Sequence, residues 1–166
     1  MHFGIGDLTA EDVTALLREH LVDMYATSPP ESVHALSTDA LRDPAVSFYT
    51  ARSEDGALLG CGAIKRLSAQ AAELKTMRTV RAARGRGVGS AMLRHLVGVA
   101  RERGYATVYL ETGSMDYFAA ARRLYARHGF VETGPFGDYT PDPMSIFMRL
   151  ELGSPAPQEK LSHKPA

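Results

Sequence analysis

Arg84-Gly85-Arg86-Gly87-Val88-Gly89-Ser90, followed at once by a helix-like run from Ala91, is the stretch on which the fold turns. Three alternate glycines strip one side of a turn of side chains, so backbone N–H groups approach a ligand closely. The next helix points the positive end of its dipole at the same spot. The segment is built to hold an anion, a phosphate above all.

Working outward, Val88, Met92, Leu96 and Ala100 recur every four residues, with Leu93 and Val97 alongside, which predicts one face of a helix closing at Gly104. Before the loop, residues 46–52 and 58–66 read as two strands joined at Glu54-Asp55-Gly56, a hairpin turn signal. Residues 72–80 form a weaker third strand, because Lys75, Thr76 and Arg78 dilute its apolar pattern. Near the start, Thr9 is expected to cap a helix with Asp12 at the capping-box position, and Val13, Leu16, Leu17, Leu21 and Met24 follow helical spacing. Ser28-Pro29-Pro30-Glu31 breaks that helix and starts a short second one through Leu36. After the loop come a strand over 106–111, a helix over 117–128 capped by Gly129, and closing strands over 130–136 and 144–152. Residues 153–166, rich in proline and polar residues, read as a disordered tail behind one domain over 1–152. The order predicts a mixed α/β fold in which a largely antiparallel sheet enters a central strand–helix–strand crossover.

Composition bounds the function. A chain of 166 residues suits one sizeable core. Its 19 basic and 19 acidic residues cancel, so no global field favours nucleic acid or an anionic membrane, and phosphate binding has to be local. One cysteine, Cys61, leaves no intramolecular disulfide and suits a reducing cytoplasm, where it reads as a small buried side chain. No apolar run is long enough to span a bilayer, and the N-terminus lacks the pattern of a secretory signal. The six histidines show no paired ligand spacing, so no metal is expected.

Taken alone, the glycine loop is not a Walker A loop, which needs Lys before its terminal Ser. Nor does equal spacing of Gly85, Gly87 and Gly89 match a dinucleotide fingerprint. A turn that merely caps a helix stays open. However, Arg84-x-x-Gly87-x-Gly89 resembles the coenzyme A signature Arg/Gln-x-x-Gly-x-Gly/Ala of the GNAT superfamily of N-acetyltransferases. Downstream, Ala121-Arg122-Arg123-Leu124-Tyr125-Ala126-Arg127-His128-Gly129-Phe130 is similar to its second signature, Ala-x-x-Leu-Tyr-x-x-x-Gly-Phe. The two lie in the right order, and a bacterial subgroup looks similar through Ser28 to His34, Gly113-Ser114 and residues 135–139. One departure stands out: many members carry Asn three residues before the Ala of the second signature, where this chain has Phe118.

The resemblance implies a GNAT fold, a mostly antiparallel sheet of six to seven strands flanked by about four helices, using acetyl-CoA as acyl donor. Residues 84–90 (Arg84, Gly85, Arg86, Gly87, Val88, Gly89, Ser90) would hold the pyrophosphate. The strand before the loop would splay at a bulge, so that backbone near Met77, Arg78 and Thr79 pairs with the pantetheine arm and one N–H polarises the thioester. A primary amine with a pKa near 10.4 needs a base at neutral pH. Glu73, eleven residues before Arg84, sits at the offset of the catalytic glutamate of histone-modifying members, although it can equally pair with Lys75 on its strand face. Glu111 is the alternate base. Tyr125 matches the signature tyrosine near the coenzyme sulfur and would act as general acid. His34, Asp138 and Tyr139 are candidates for the acceptor side; for His34 a solvent-facing helix, and for Asp138 a backbone-serving turn, are the alternatives.

The expected activity is transfer of an acetyl group to the primary amine of a small molecule by direct attack in a ternary complex. A non-catalytic acyl-CoA sensor and an antibiotic-modifying transferase are the rivals, the latter calling for a strongly acidic acceptor cleft. Partners are the small amine, neither nucleic acid nor membrane, and a second copy of the chain pairing through exposed strands near the C-terminus.

Overall fold

Alternation of apolar residues with threonine, tyrosine and small side chains builds the strands of a seven-stranded sheet in the computed structural model, which describes residues 1–153. The strands are β1 (His2–Ile5), β2 (Val46–Arg52), β3 (Leu58–Arg66), β4 (Ala71–Thr79), β5 (Thr107–Gly113), β6 (Val131–Thr133) and β7 (Ser145–Glu151), in the order β1-β2-β3-β4-β5-β7-β6. Every neighbouring pair is antiparallel except β4–β5. A parallel pair requires a crossover, and the stretch that crosses is the glycine loop with α2 (Val88–Glu102). The other helices are α1 (Glu11–Thr27) and α3 (Ala119–Arg127).

Two apolar layers sandwich the sheet. On one face Met92, Leu93, Leu96 and Ala100 of α2 bury against Ile64, Leu74, Val108 and Leu110. On the other, Val13, Leu16 and Leu17 of α1 bury against Phe48, Cys61 and Ala63. Burying the Val, Leu, Ile, Met and Phe side chains among them contributes about 1.5–3 kcal/mol each, and this fixes which face of these strands points where. Gly60 is required by close approach: a Cβ there would meet the Arg78 carbonyl oxygen at 2.8 Å.

Several local expectations are corrected. Thr9 does not cap α1; its N–H and hydroxyl both donate to the Asp7 carboxylate (2.8 and 2.6 Å), and Ala10 holds the cap position without a side-chain bond. The Asp12 carboxylate is drawn instead to Arg52 at 2.7 Å. The second helix expected through Leu36 is a 3-10 turn over Pro30–Ser32, as two prolines leave too few N–H donors for a longer one, so three α-helices flank the sheet rather than about four. α2 begins at Val88 rather than Ala91, and β6 ends at Thr133 because the Gly134-Pro135 pair ends the ladder. β1 went unforeseen: two glycines within Phe3-Gly4-Ile5-Gly6 hide its pattern. The tail expected to be disordered lies, from residue 154 onward, outside the described residues. Among the described residues no helix is long and apolar enough to cross a membrane.

Candidate active site

β4 and β5 pair only from Ala71↔Thr107 to Leu74↔Leu110. Beyond Leu74 the two strands part, and a cleft of about 630 Å³ opens between them, floored by both and walled by α1, α3 and the glycine loop. The parting has a local cause. The β3–β4 register shifts between Cys61↔Arg78 and Ala63↔Lys75, leaving an extra residue in β4. Thr76 there takes φ 57°, the one non-glycine residue with positive φ among the described residues. The diluted pattern of Lys75, Thr76 and Arg78 is thus the mark of a strand leaving its neighbour.

Val80 N–H bonds to Leu59 O at 2.8 Å across the β3–β4 pair. Successive residues of a strand turn their backbone groups to opposite sides, so Met77 and Thr79 present theirs to the gap. Both line the cleft, as does Arg78. The Arg78 side chain runs the other way, donating to Glu19 of α1 at 2.7 Å and to Asp23. A coenzyme contact from Arg78 is therefore restricted to its backbone.

The three glycines of the loop are not equivalent. Gly85 and Gly87 adopt φ +77° and +80°, the left-handed region that a Cβ disfavours. Gly89 lies inside α2, where a Cβ would stand 3.3 Å from Leu124 of α3, so its smallness serves helix packing. Gly87 caps α2 with no side-chain acceptor, and no acidic residue occupies the first turn. The N–H groups of Val88, Gly89 and Ser90 therefore have no intrahelical partners and face the cleft end. Arg84 lines the cleft, whereas the exposed Arg86 does not. The Ser90 hydroxyl is shared with His128 Nε2 at 2.6 Å.

At the other end of the cleft its lining residues Glu73 and Lys75 lock together with Tyr139, which does not itself line it. Lys75 Nζ donates to Tyr139 Oη (2.8 Å) and contacts Glu73 Oε2 (3.2 Å), while Tyr139 Oη donates to the same Glu73 oxygen (2.6 Å). Glu73 is 3% exposed. The same-face pairing of Glu73 with Lys75, read from their spacing, is present, and its recruitment of Tyr139 carries no local sequence signal. His34 lies edge-on to Tyr139 at 4.9 Å and lines the cleft; Asp138 is exposed and stands outside it.

Glu111, the alternate base, lines the cleft one strand away. Burial pushes its carboxyl up to about 7, against the opposing pull of a hydrogen bond from Ser145 Oγ (2.9 Å) and the charge of Lys75. Ser145 went unforeseen because it reaches Glu111 only through the β5–β7 pairing. Tyr125 enters from α3, lines the cleft and is buried, which pushes its phenol up to about 12. Phe118, in place of the usual Asn, packs flat on Gly113: a Cβ there would fall 2.0 Å from its ring. Phe118 thus gives this corner of the cleft an apolar wall. Arg122 holds this corner by donating to the Gly113 and Met115 carbonyls at 2.6 and 2.9 Å.

Comparison with known proteins agrees with this architecture. The Acetyltransferase (GNAT) family matches residues 13–130. An uncharacterized N-acetyltransferase of Bacillus subtilis (strain 168) is 45% identical over 152 residues, covering 92% of this chain and 100% of that protein. Another, from Escherichia coli (strain K12), is 44% identical over 146 residues, covering 88% and 91%. Among solved structures, a Klebsiella pneumoniae protein provisionally named an acyl-CoA N-acyltransferase superposes with a TM-score of 0.73 at 28% identity, over 91% of this chain and 97% of that one.

Proposed function

The chain belongs to the acetyltransferase (GNAT) family and is an acyltransferase; from that premise we propose that it transfers an acetyl group from acetyl-CoA to the primary amine of a small molecule, by direct attack in a ternary complex. The observation that carries this reading is the meeting, in one cleft where β4 and β5 part, of an unpartnered helix N-terminus, a carboxyl near 7 and a buried phenol.

The cleft fits the donor. Left-handed Gly85 and Gly87 leave the loop bare, and the free N–H groups of α2 with Arg84 suit a pyrophosphate. Acetyl-CoA supplies the activated thioester; the protein binds, orients and moves protons. Met77 and Thr79 offer backbone groups to the pantetheine arm, and one of their N–H groups faces the position where charge builds on the thioester oxygen.

Glu111 is the base. A carboxylate with a pKa of about 7 is half-ionised near neutrality and strong enough to relay a proton from an ammonium. Glu73, ion-paired to Lys75 and hydrogen-bonded by Tyr139, positions that cluster beside the acceptor. Because Lys75 and Glu73 offset one another, the acceptor end lacks the concentrated negative charge that a polycationic antibiotic calls for, which favours a small metabolite amine.

A thiol-release assay with acetyl-CoA against a panel of amines, run beside calorimetry of coenzyme A, tests the reading. Heat on mixing without thiol release from any amine would leave the sensor as the better account. Gly87→Val is expected to cost about 1–2 kcal/mol of stability, from forcing a β-branched residue into the left-handed region. It should also weaken coenzyme A binding roughly tenfold by distorting the N–H array. Thermal melts and calorimetry report the two effects separately.

A further inference from the structure

Ser90 closes the glycine loop, stands in the first turn of α2 and lines the cleft. His128, the C-cap residue of α3, places Nε2 2.6 Å from its hydroxyl oxygen. Arg94, one turn further along α2, donates to the same oxygen at 3.3 Å. The small Gly89 lets Leu124 of α3 come close, which brings the two helices within reach of this bond. Arg94 and His128 line a separate groove, and neither lines the cleft. Two of the three hydrogen-bonding positions around the Ser90 oxygen are therefore taken from the groove side, which leaves the third for the cleft.

A hydroxyl has one proton and two lone pairs, and an ionised diphosphate only accepts. If His128 Nε2 carries no proton, the Ser90 hydroxyl donates to it, and a lone pair that repels an anion faces the cleft. If Nε2 carries the proton, it and Arg94 fill both lone pairs, and the hydroxyl proton is left to point into the cleft. The same serine thus attracts or repels a phosphate, and the imidazole decides which. Burial and the charges of Arg94 and Arg127 lower the pKa of His128, which holds the ring neutral at pH 7. The choice falls between its two tautomers, and an anion in the loop favours the one that gives it a donor.

We propose that His128 is a positioning residue for the acyl donor: with its proton on Nε2, it holds the Ser90 hydroxyl toward the diphosphate cradled by residues 84–90. This rests on the acetyltransferase reading above and extends the cradle from the loop to the end of α3. His128 acts through Ser90 and not on the reacting atoms. The bond crosses 38 positions and ties the end of one helix to the start of another.

The probe is 3′-dephospho-coenzyme A, which keeps the diphosphate and lacks the third phosphate, a separate source of attraction to arginine. Nitrogen NMR of the histidine rings reads which nitrogen carries the proton; in the complex with the parent protein it should be Nε2 of His128. Ser90→Ala is expected to raise the calorimetric Kd about tenfold, the loss of one hydrogen bond to a charged group. His128→Leu should raise it about threefold, because the serine regains the three staggered rotamers from which the ring selects one. His128→Gln, whose amide N–H replaces Nε2–H, should stay near the parent. In the Ser90→Ala background His128→Leu should cost nothing further, since its effect runs through the hydroxyl. The melting temperature, kcat at saturating acetyl-CoA and KM for the amine should hold, while KM for acetyl-CoA follows the Kd. An unprotonated Nε2 in the complex, an unchanged Kd in Ser90→Ala, or an undiminished His128→Leu effect in the double variant would each overturn the assignment. Absence of heat with the parent itself would remove the coenzyme reading, and the role of His128 with it.

Discussion

Replacing Glu111 with Gln is expected to lower kcat/KM for the acceptor by about 10²–10⁴-fold, the range for loss of a positioned general base. In the parent, activity should rise with pH until the carboxyl is ionised, bending near 7, where burial places it. The variant should lose that limb and keep only the titration of the free amine. Stability gives a second readout with a fixed sign. A carboxyl raised in the folded state binds more protons folded than unfolded between its ordinary value of 4.5 and about 7. The Glu111 contribution to parent stability should therefore fall as pH rises through that window and level off above it. Glu111→Gln should lose that falling contribution, since an amide has no charge to desolvate, and keep the opposite slope of His20, whose burial lowers its pKa to about 4. Denaturant melts at pH 5 and pH 8 decide the matter: equal pH dependence in parent and variant would remove Glu111 as the titrating group.

Tyr125→Phe is expected to lower kcat by about 10–100-fold. The size follows from what a phenol pushed up to about 12 can do. It remains protonated at neutral pH, yet it is a weaker acid than a thiol of about 8.5. Complete proton transfer to the departing sulfur is uphill, so its service is a hydrogen bond to the thiolate, and such bonds to charged groups contribute about 1.5–3 kcal/mol. The ring packs 5.9 Å from Phe130 and stays in place without its hydroxyl, so the melting temperature should change little. The steady-state rate at saturating acetyl-CoA is the measurement; parent-like turnover would leave Tyr125 a packing residue.

How much of this was legible beforehand depends on the range of the interactions. The loop, α2 and the β2–β3 hairpin were readable because glycine placement and helical periodicity are local signals, whereas Tyr125 was singled out by its match to a family signature. The parting of β4 from β5 was half-readable, through the polar residues that dilute residues 75–79. The partners of those residues were not. Lys75 meets Tyr139 across 64 positions, Ser145 meets Glu111 across 34, and Arg78 meets Glu19 across 59. No spacing rule announces such meetings; only the register of the sheet creates them. The resemblance to histone-modifying members pointed to Glu73 as the base; the proposal of Glu111 rests on burial and neighbours, which only the fold supplies.

The brief β4–β5 seam has a mechanical corollary. With Ala71 to Leu74 as the whole of its ladder, the sheet is two antiparallel ribbons, β1–β4 and β5–β7, joined along a short weld. A donor whose extended arm lies in the remaining gap lengthens that weld, tying the ribbons into one cooperative body. On the donor placement proposed above, the reagent would act as a removable rivet, and rigidity would rise with the occupancy of the gap.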